Sequence, residues 1–146
     1  MAGIIVGVDG SAHSTRALVR AAKEAGLHHE PLIVLAVHQA VVGYAGGPVV
    51  YPGDLAETDK VREAVQAETD KVLAELDGPR PESVTVKALH GVPAEELINA
   101  SRDADMVVLG SRGAGGFKHL VMGSVSTQVA HHAHCPVLIV PTGNQD

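Results

Sequence analysis

The sequence predicts an α/β protein: an open, doubly wound, five-stranded parallel sheet of order 3-2-1-4-5 with helices on both faces. Three observations predict it. Short runs rich in Val, Ile and Leu alternate along the 146 residues with longer stretches of helical spacing, the pattern of parallel strands joined by right-handed helical crossovers. Hydrophobic residues make up 45% of the chain but aromatics only 2%, so Val, Leu, Ile and Ala must fill the core, as they do between buried parallel strands and alanine-rich helices. The stretch Val107 to Ser126 reads as a buried strand, a glycine-rich loop and a helix start, the order in which a main chain cradles an anion.

Residues 3 to 8 form a continuous apolar run that stops at Asp9-Gly10-Ser11, as a buried strand does before a turn. From Ala12 to His28, Ala17, Leu18, Ala21, Ala22 and Ala25 recur at helical spacing, with Ser11 or Ser14 as cap and Gly26 near the end. Pro31 to Val37 is the second strand. A long segment follows, from His38 to about Asp54, rich in Gly and Pro and carrying Tyr44 and Tyr51. Loops of that length usually have a task. Asp54 to Asp77 is a charged amphipathic helix with Val61, Val65, Val72 and Leu76 on one face, stopped by Gly78-Pro79. Val84, Val86 and Ala88 alternate with Thr85, Lys87 and Leu89, which marks a third, half-exposed strand at a sheet edge. Pro93 opens the next helix, with Glu95 and Glu96 well placed in its first turn. Ala104 to Gly110 is the fourth strand, Gly123 to about Ala133 the fourth helix, and Pro136 to Pro141 the fifth strand.

The length suits one domain, 1–146, large enough to bury a core without metal or disulfide staples. A formal net charge of -6 argues against a sequence-independent grip on nucleic acid or on an anionic membrane. The single cysteine, Cys135, fits a reducing compartment, and the apolar start at Ile4 is too short for a membrane span, so a cytoplasmic location is expected.

Spacing narrows the chemistry of the glycine loop. Gly110, Gly113, Gly123 and Ser124 give G-x-x-G-x9-G-S, while Gly116-Phe117 stands where a P-loop needs Lys and Ser or Thr. In the order 3-2-1-4-5, strands one and four are neighbours, and their carboxyl ends flank the switch point at which such sheets bind ligands. Asp9 therefore faces Gly110. A carboxylate opposite a phosphate loop makes sense when it accepts hydrogen bonds from sugar hydroxyls, so a nucleoside phosphate satisfies both ends.

These residues resemble the ATP-binding branch of the universal stress protein family. The likeness runs through Ile5-Val-Gly-Val-Asp9-Gly-Ser11, His90-Gly-Val-Pro93, Asp105 to Gly113, the pair Gly123-Ser124 and Cys135 to Pro141. The resemblance implies a Rossmann-like, adenine nucleotide alpha hydrolase-like fold forming a single universal stress protein domain. It implies that Asp9 and the Gly110 backbone hold ribose, that the main chain at Val37 meets the adenine edge, and that Gly113, Gly123, Ser124, Val125 and Ser126 line the phosphates. Arg112 and Lys118 lie between the motif's glycines, where the family varies, and are candidates for screening phosphate charge by their own chemistry rather than by the resemblance. ATP, with Mg²⁺ as its companion cation, is the implied ligand, and AMP or cyclic AMP are alternatives because these contacts do not count phosphates. A stress-response regulator that homodimerises through Val137 to Val140 and acts on an unidentified protein partner is the implied role. A protein-interaction adaptor with a vestigial loop and a slow ATP hydrolase are the other two readings.

His131, His132, His134 and Cys135 suggest a metal cluster at first sight. Their simpler role is at a helix end, where protonated histidines meet the negative terminus. Asp9, His13, Ser11 and Ser14 invite a hydrolase triad, yet no G-x-S-x-G elbow exists and the serines suit helix capping. Neither a Walker-type lysine nor an assured base for activating water is present, so no catalytic residue is assigned.

Overall fold

The computed structural model describes residues 3–39, 41–42, 48–49, 52–112 and 123–141. In chain order these form β1 (Ile4–Val8), α1 (Ala12–His28), β2 (Leu32–Gln39), a short antiparallel ribbon of β3 (Val41–Val42) and β4 (Pro48–Val49), α2 (Pro52–Ala74), β5 (Val84–Gly91), α3 (Pro93–Ser101), β6 (Met106–Gly110), α4 (Ser124–His132) and β7 (Val137–Val140). Five strands make one parallel sheet in the order β5-β2-β1-β6-β7. With the ribbon set aside, that is the predicted 3-2-1-4-5.

Strand periodicity sorts the core into two layers. On one face Ile4, Val6 and Val8 of β1 pack with Leu32, Val34 and Ala36 of β2 against Ala17, Leu18, Ala21, Ala22 and Ala25 of α1 and Val65 and Val72 of α2. On the other, Ile5, Leu35, Val107 and Leu109 meet Ala94 and Leu97 of α3 and Val129 of α4. Alternate residues of one strand serve opposite layers. With scarcely any aromatics, alanine on α1 lets that helix lie close to the branched side chains of the sheet, and its four core alanines and Leu18 are fully buried.

Helix α1 spans the predicted residues but is capped by a different one. It ends at His28, and His29, in the left-handed region at φ 55°, closes it by donating to the carbonyls of Ala25 and Gly26. Gly26 is thus no cap. It is the place where the turn after α2 lies against α1: a β-carbon there would stand 2.0 Å from the Pro79 carbonyl oxygen. Exposed Arg20 and half-buried Glu24 form an ion pair one turn apart, at 2.9 Å.

Helix α2 begins two residues before the predicted start and ends at Ala74, short of Leu76. Val65 and Val72 are buried and Val61 and Leu76 pack at the rim, as their spacing requires. Thr69 is fully buried among them, its hydroxyl donating to the Val65 carbonyl one turn back at 2.8 Å, so a polar side chain enters the apolar face with its hydrogen bond made. Strand β5 lies at the sheet edge; Thr85, Lys87 and Leu89 are exposed while Val84, Val86 and Ala88 pack beneath α2. Among the described residues no helix is long and apolar enough to cross a membrane.

Candidate nucleotide site at the switch point

The strand order reverses between the parallel neighbours β1 and β6, whose following helices α1 and α4 leave on opposite faces of the sheet. Their register pairs Ile4 with Met106 and Val6 with Val108; continued, it sets Val8 level with Gly110. Asp9 therefore leaves β1 beside the point at which Ser111 leaves β6. The approach is close. A β-carbon on Gly110 would lie 2.9 Å from the His13 carbonyl oxygen in the first turn of α1, so only glycine lets the end of β6 meet that helix without a shift. On the other side of β1, Val8 pairs with Ala36, so Val37 lies one step past the last paired residue, at the rim of the same crevice, half-buried.

The two helix starts at this crevice differ in the groups they offer. At α1, Ser11 caps: its Oγ accepts from the Ser14 amide at 3.2 Å. Asp9 is fixed into the same turn, with Oδ1 accepting from both the Ser11 amide, 2.9 Å, and the Ser11 hydroxyl, 2.6 Å. The Ser14 hydroxyl accepts from the Asp9 amide and donates to the Ser11 carbonyl, at 3.2 and 3.1 Å. Side chains thus satisfy donors of this turn and hold an exposed carboxylate in a set direction.

At α4 the cap is Gly123, with no side chain to offer and no carboxylate in the first turn. The amides of Ser124, Val125 and Ser126 belong to the first turn, whose donors have no partner within the helix, and they carry the positive end of its dipole. An anion fits α4; a hydroxyl-bearing group fits Asp9. Ser124 is exposed, Val125 half-buried against the α3 and α4 layer, and Ser126 buried. Arg112 is half-buried directly after Ser111. Gly113 and Lys118 lie outside the described residues, as do Tyr44 and Tyr51.

Sequence reasoning passed over Ser111. It is buried, its amide donates to the Val140 carbonyl of β7 at 2.9 Å, and its carbonyl accepts from the Gly123 amide at 2.6 Å and from the Ser126 hydroxyl at 3.0 Å. A small polar residue directly after a strand's closing glycine was the available signal. Ser126 also has a more defined place than its spacing suggested, because its hydroxyl points back toward the carbonyls of Ser111 and Gly123.

The histidine group resolves differently. Helix α4 ends at His132, so His134 lies past the helix and shares no helical face with His131. The His134 amide is fixed by the Ser101 hydroxyl of α3 at 2.9 Å. Burial pushes the Cys135 thiol above its ordinary range, which suits a packing residue rather than a nucleophile. Among the described residues no group of three His, Cys, Asp or Glu side chains is placed to hold a metal ion. A groove of about 500 Å³ between α1 and α2, lined by Thr15, Val19, Lys23, Lys71, Val72 and Leu76 with Glu68, Glu75 and Asp77, mixes both signs of charge.

Fold and site together define an open, doubly wound α/β protein whose crevice pairs a fixed carboxylate with a helix start capped by glycine. The chain belongs to the universal stress protein family, whose profile matches residues 2–141. It is 35% identical over 145 residues to a universal stress protein of Mycolicibacterium smegmatis, covering 98% of this chain and 49% of that one. The chain thus spans about half the length of the mycobacterial relatives it matches. Among solved structures it resembles UspA from Lactobacillus plantarum, with a TM-score of 0.77 at 21% identity over 95% of this chain and 97% of the other. A universal stress protein in complex with cAMP superposes with a TM-score of 0.67 at 24% identity, covering 98% of this chain and all of that one. One from Archaeoglobus fulgidus in complex with dAMP gives 0.64 at 23% identity, over 95% and 97% of the two chains.

Proposed function

We propose that this chain binds an adenine nucleotide at the β1–β6 switch point and works as a nucleotide-dependent stress-response regulator, with ATP as its ligand. The observation that carries the reading is the contrast between two adjoining helix starts: α1 is closed by Ser11 and directs Asp9 outward, while α4 opens on a bare Gly123. In this reading Asp9 and the Gly110 main chain take the ribose, and the Val37 main chain takes the adenine edge. Gly113, Gly123, Ser124 and Val125 line the phosphates, screened by Arg112. Two structural relatives, complexed with cAMP and with dAMP, support an adenine ligand, and they make a monophosphate the second reading to test beside ATP. Mg²⁺ would travel on the phosphate oxygens, as it commonly does, rather than in a protein cage.

The chemistry is binding rather than turnover. Asp9 is the carboxylate at hand, and its Oδ1 is already committed to Ser11, which leaves it poorly suited to take a proton from attacking water. Calorimetric titration with ATP, ADP, AMP and cyclic AMP tests the reading directly. Saturable binding of at least one is expected, with adenosine much weaker because it lacks the group that α4 would hold. If none binds, the crevice is vestigial and the chain acts as an adaptor through protein contacts.

Strand β7 offers the regulatory surface. It closes one edge of the sheet, and its four residues, Val137 to Val140, are all apolar and none is fully buried. A second copy pairing along this edge would cover them and satisfy the outer main-chain groups. The Ser111 amide bond to Val140 connects that edge to the phosphate end of the crevice. Sedimentation equilibrium should show a dimer that Leu138→Lys dissociates; a monomer at all practical concentrations would remove β7 from the account.

A further inference from the structure

Resting on that reading of the crevice, we infer that Ser126 is a positioning residue that ties the start of α4 to the end of β6 and so sets where the phosphate-binding amides stand, without itself touching the ligand. Its side chain is 3% exposed. Its hydroxyl lies 3.0 Å from the Ser111 carbonyl and 3.1 Å from the Gly123 carbonyl, and its one proton is shared between them. The Ser111 carbonyl is a fixed target: the same residue's amide is held by Val140 of β7, so the acceptor belongs to the sheet rather than to a loop. The Gly123 amide reaches that carbonyl too, at 2.6 Å. Two donors from the first turn of α4, one main-chain and one side-chain, thus converge on one oxygen at the end of β6.

The arrangement has a reason in chemistry. A glycine-capped helix start binds an anion only if its amides are held at a constant place relative to the other contacts, and here those contacts stand at β1 and β2. Thr127 strengthens the turn but not the tie, since its hydroxyl and its amide both go to the Gly123 carbonyl, at 2.8 and 3.0 Å. Among the described residues Ser126 supplies the side-chain bond that crosses from helix to strand. A hydroxyl spent on two carbonyls has no proton left to give a phosphate oxygen, which separates this role from direct contact.

Ser126→Ala and Ser126→Thr, compared with the wild-type chain, test it in two arms. In nucleotide-free protein, Ser126→Ala is expected to speed hydrogen exchange at the Gly123 amide about tenfold, with exchange in β1 unchanged, and Ser126→Thr to restore protection. In titrations, Ser126→Ala is expected to weaken the best-binding nucleotide about tenfold and adenosine hardly at all, with Ser126→Thr again recovering most of the loss. Unchanged Gly123 exchange, or faster exchange with undiminished nucleotide affinity, overturns the inference. A direct phosphate contact would instead leave Gly123 exchange as in wild type while affinity fell. Wild-type protein that binds no nucleotide sinks the reading of the crevice and the phosphate role with it. The exchange arm, which uses no ligand, then still decides whether Ser126 ties helix to strand.

Discussion

Gly26→Ala is expected to lower the stability of this protein by about 2 kcal/mol, although alanine is the better helix former by about 1 kcal/mol. The two effects oppose each other, and distance decides between them. The new β-carbon would stand 2.0 Å from the Pro79 carbonyl oxygen and 2.8 Å from its carbon, both main-chain atoms that cannot rotate away as a side chain would. Relief requires the Pro79-Arg80 turn to lift from α1. That turn has little slack: three residues past Pro79 the Glu82 amide bonds the Glu30 carbonyl at 3.0 Å, and the Ser83 carbonyl accepts from Leu32 at 2.8 Å, where β2 and β5 begin. Lifting it strains the start of the edge strand. Urea unfolding of the two proteins gives the difference. A midpoint that rises, as helix propensity alone demands, would show that the turn does not press on α1.

Gly26 also shows where reading the sequence reached its limit. A glycine two residues before a His-His pair suggests a helix end by composition, because glycine is the usual left-handed cap. His29 adopts that conformation instead, and glycine is kept for a contact with a turn more than fifty residues away, which periodicity cannot register. The sheet was legible for the opposite reason. Runs such as Ile4 to Val8 and Leu32 to Val37 admit few structures other than a buried strand, and alternation with helices then restricts the order. The β3–β4 ribbon was not legible: Val41–Val42 and Pro48–Val49 are too short to form a pattern. For the crevice, the spacing of Gly110, Gly123 and Ser124 placed the helix start, and the switch-point rule placed Asp9 opposite it. What spacing left out was the Ser111 carbonyl, since main-chain acceptors have no signature in a sequence. Ser126 was consequently read as a ligand contact, whereas its hydroxyl faces inward to the carbonyls of Ser111 and Gly123.

Gly123→Val should give a protein that folds and is blind to nucleotide, and the backbone at this residue explains both halves. At φ -77° and ψ 169° Gly123 is extended, a conformation open to valine, so no left-handed strain arises and its amide bond to Ser111 can persist. Valine is a poor cap, which costs about 1 kcal/mol, a loss that leaves the sheet standing. Binding is another matter. A side chain at the cap position is the one that reaches over the first-turn amides, which is why serine and aspartate work there. A branched apolar group in that place occupies the space an anion needs and keeps water and ligand from the amides of Ser124 and Val125. If α4 holds the phosphates, affinity for ATP should fall about a hundredfold or more while adenosine binding changes little, the difference being the phosphate share of the interaction. Gly123→Ser is the instructive companion, since its hydroxyl would accept from the same amides and compete with the ligand electrostatically with little bulk. Calorimetry on both variants, beside urea midpoints for folding, separates the possibilities. A valine variant that titrates as the wild type does would move the phosphates away from α4.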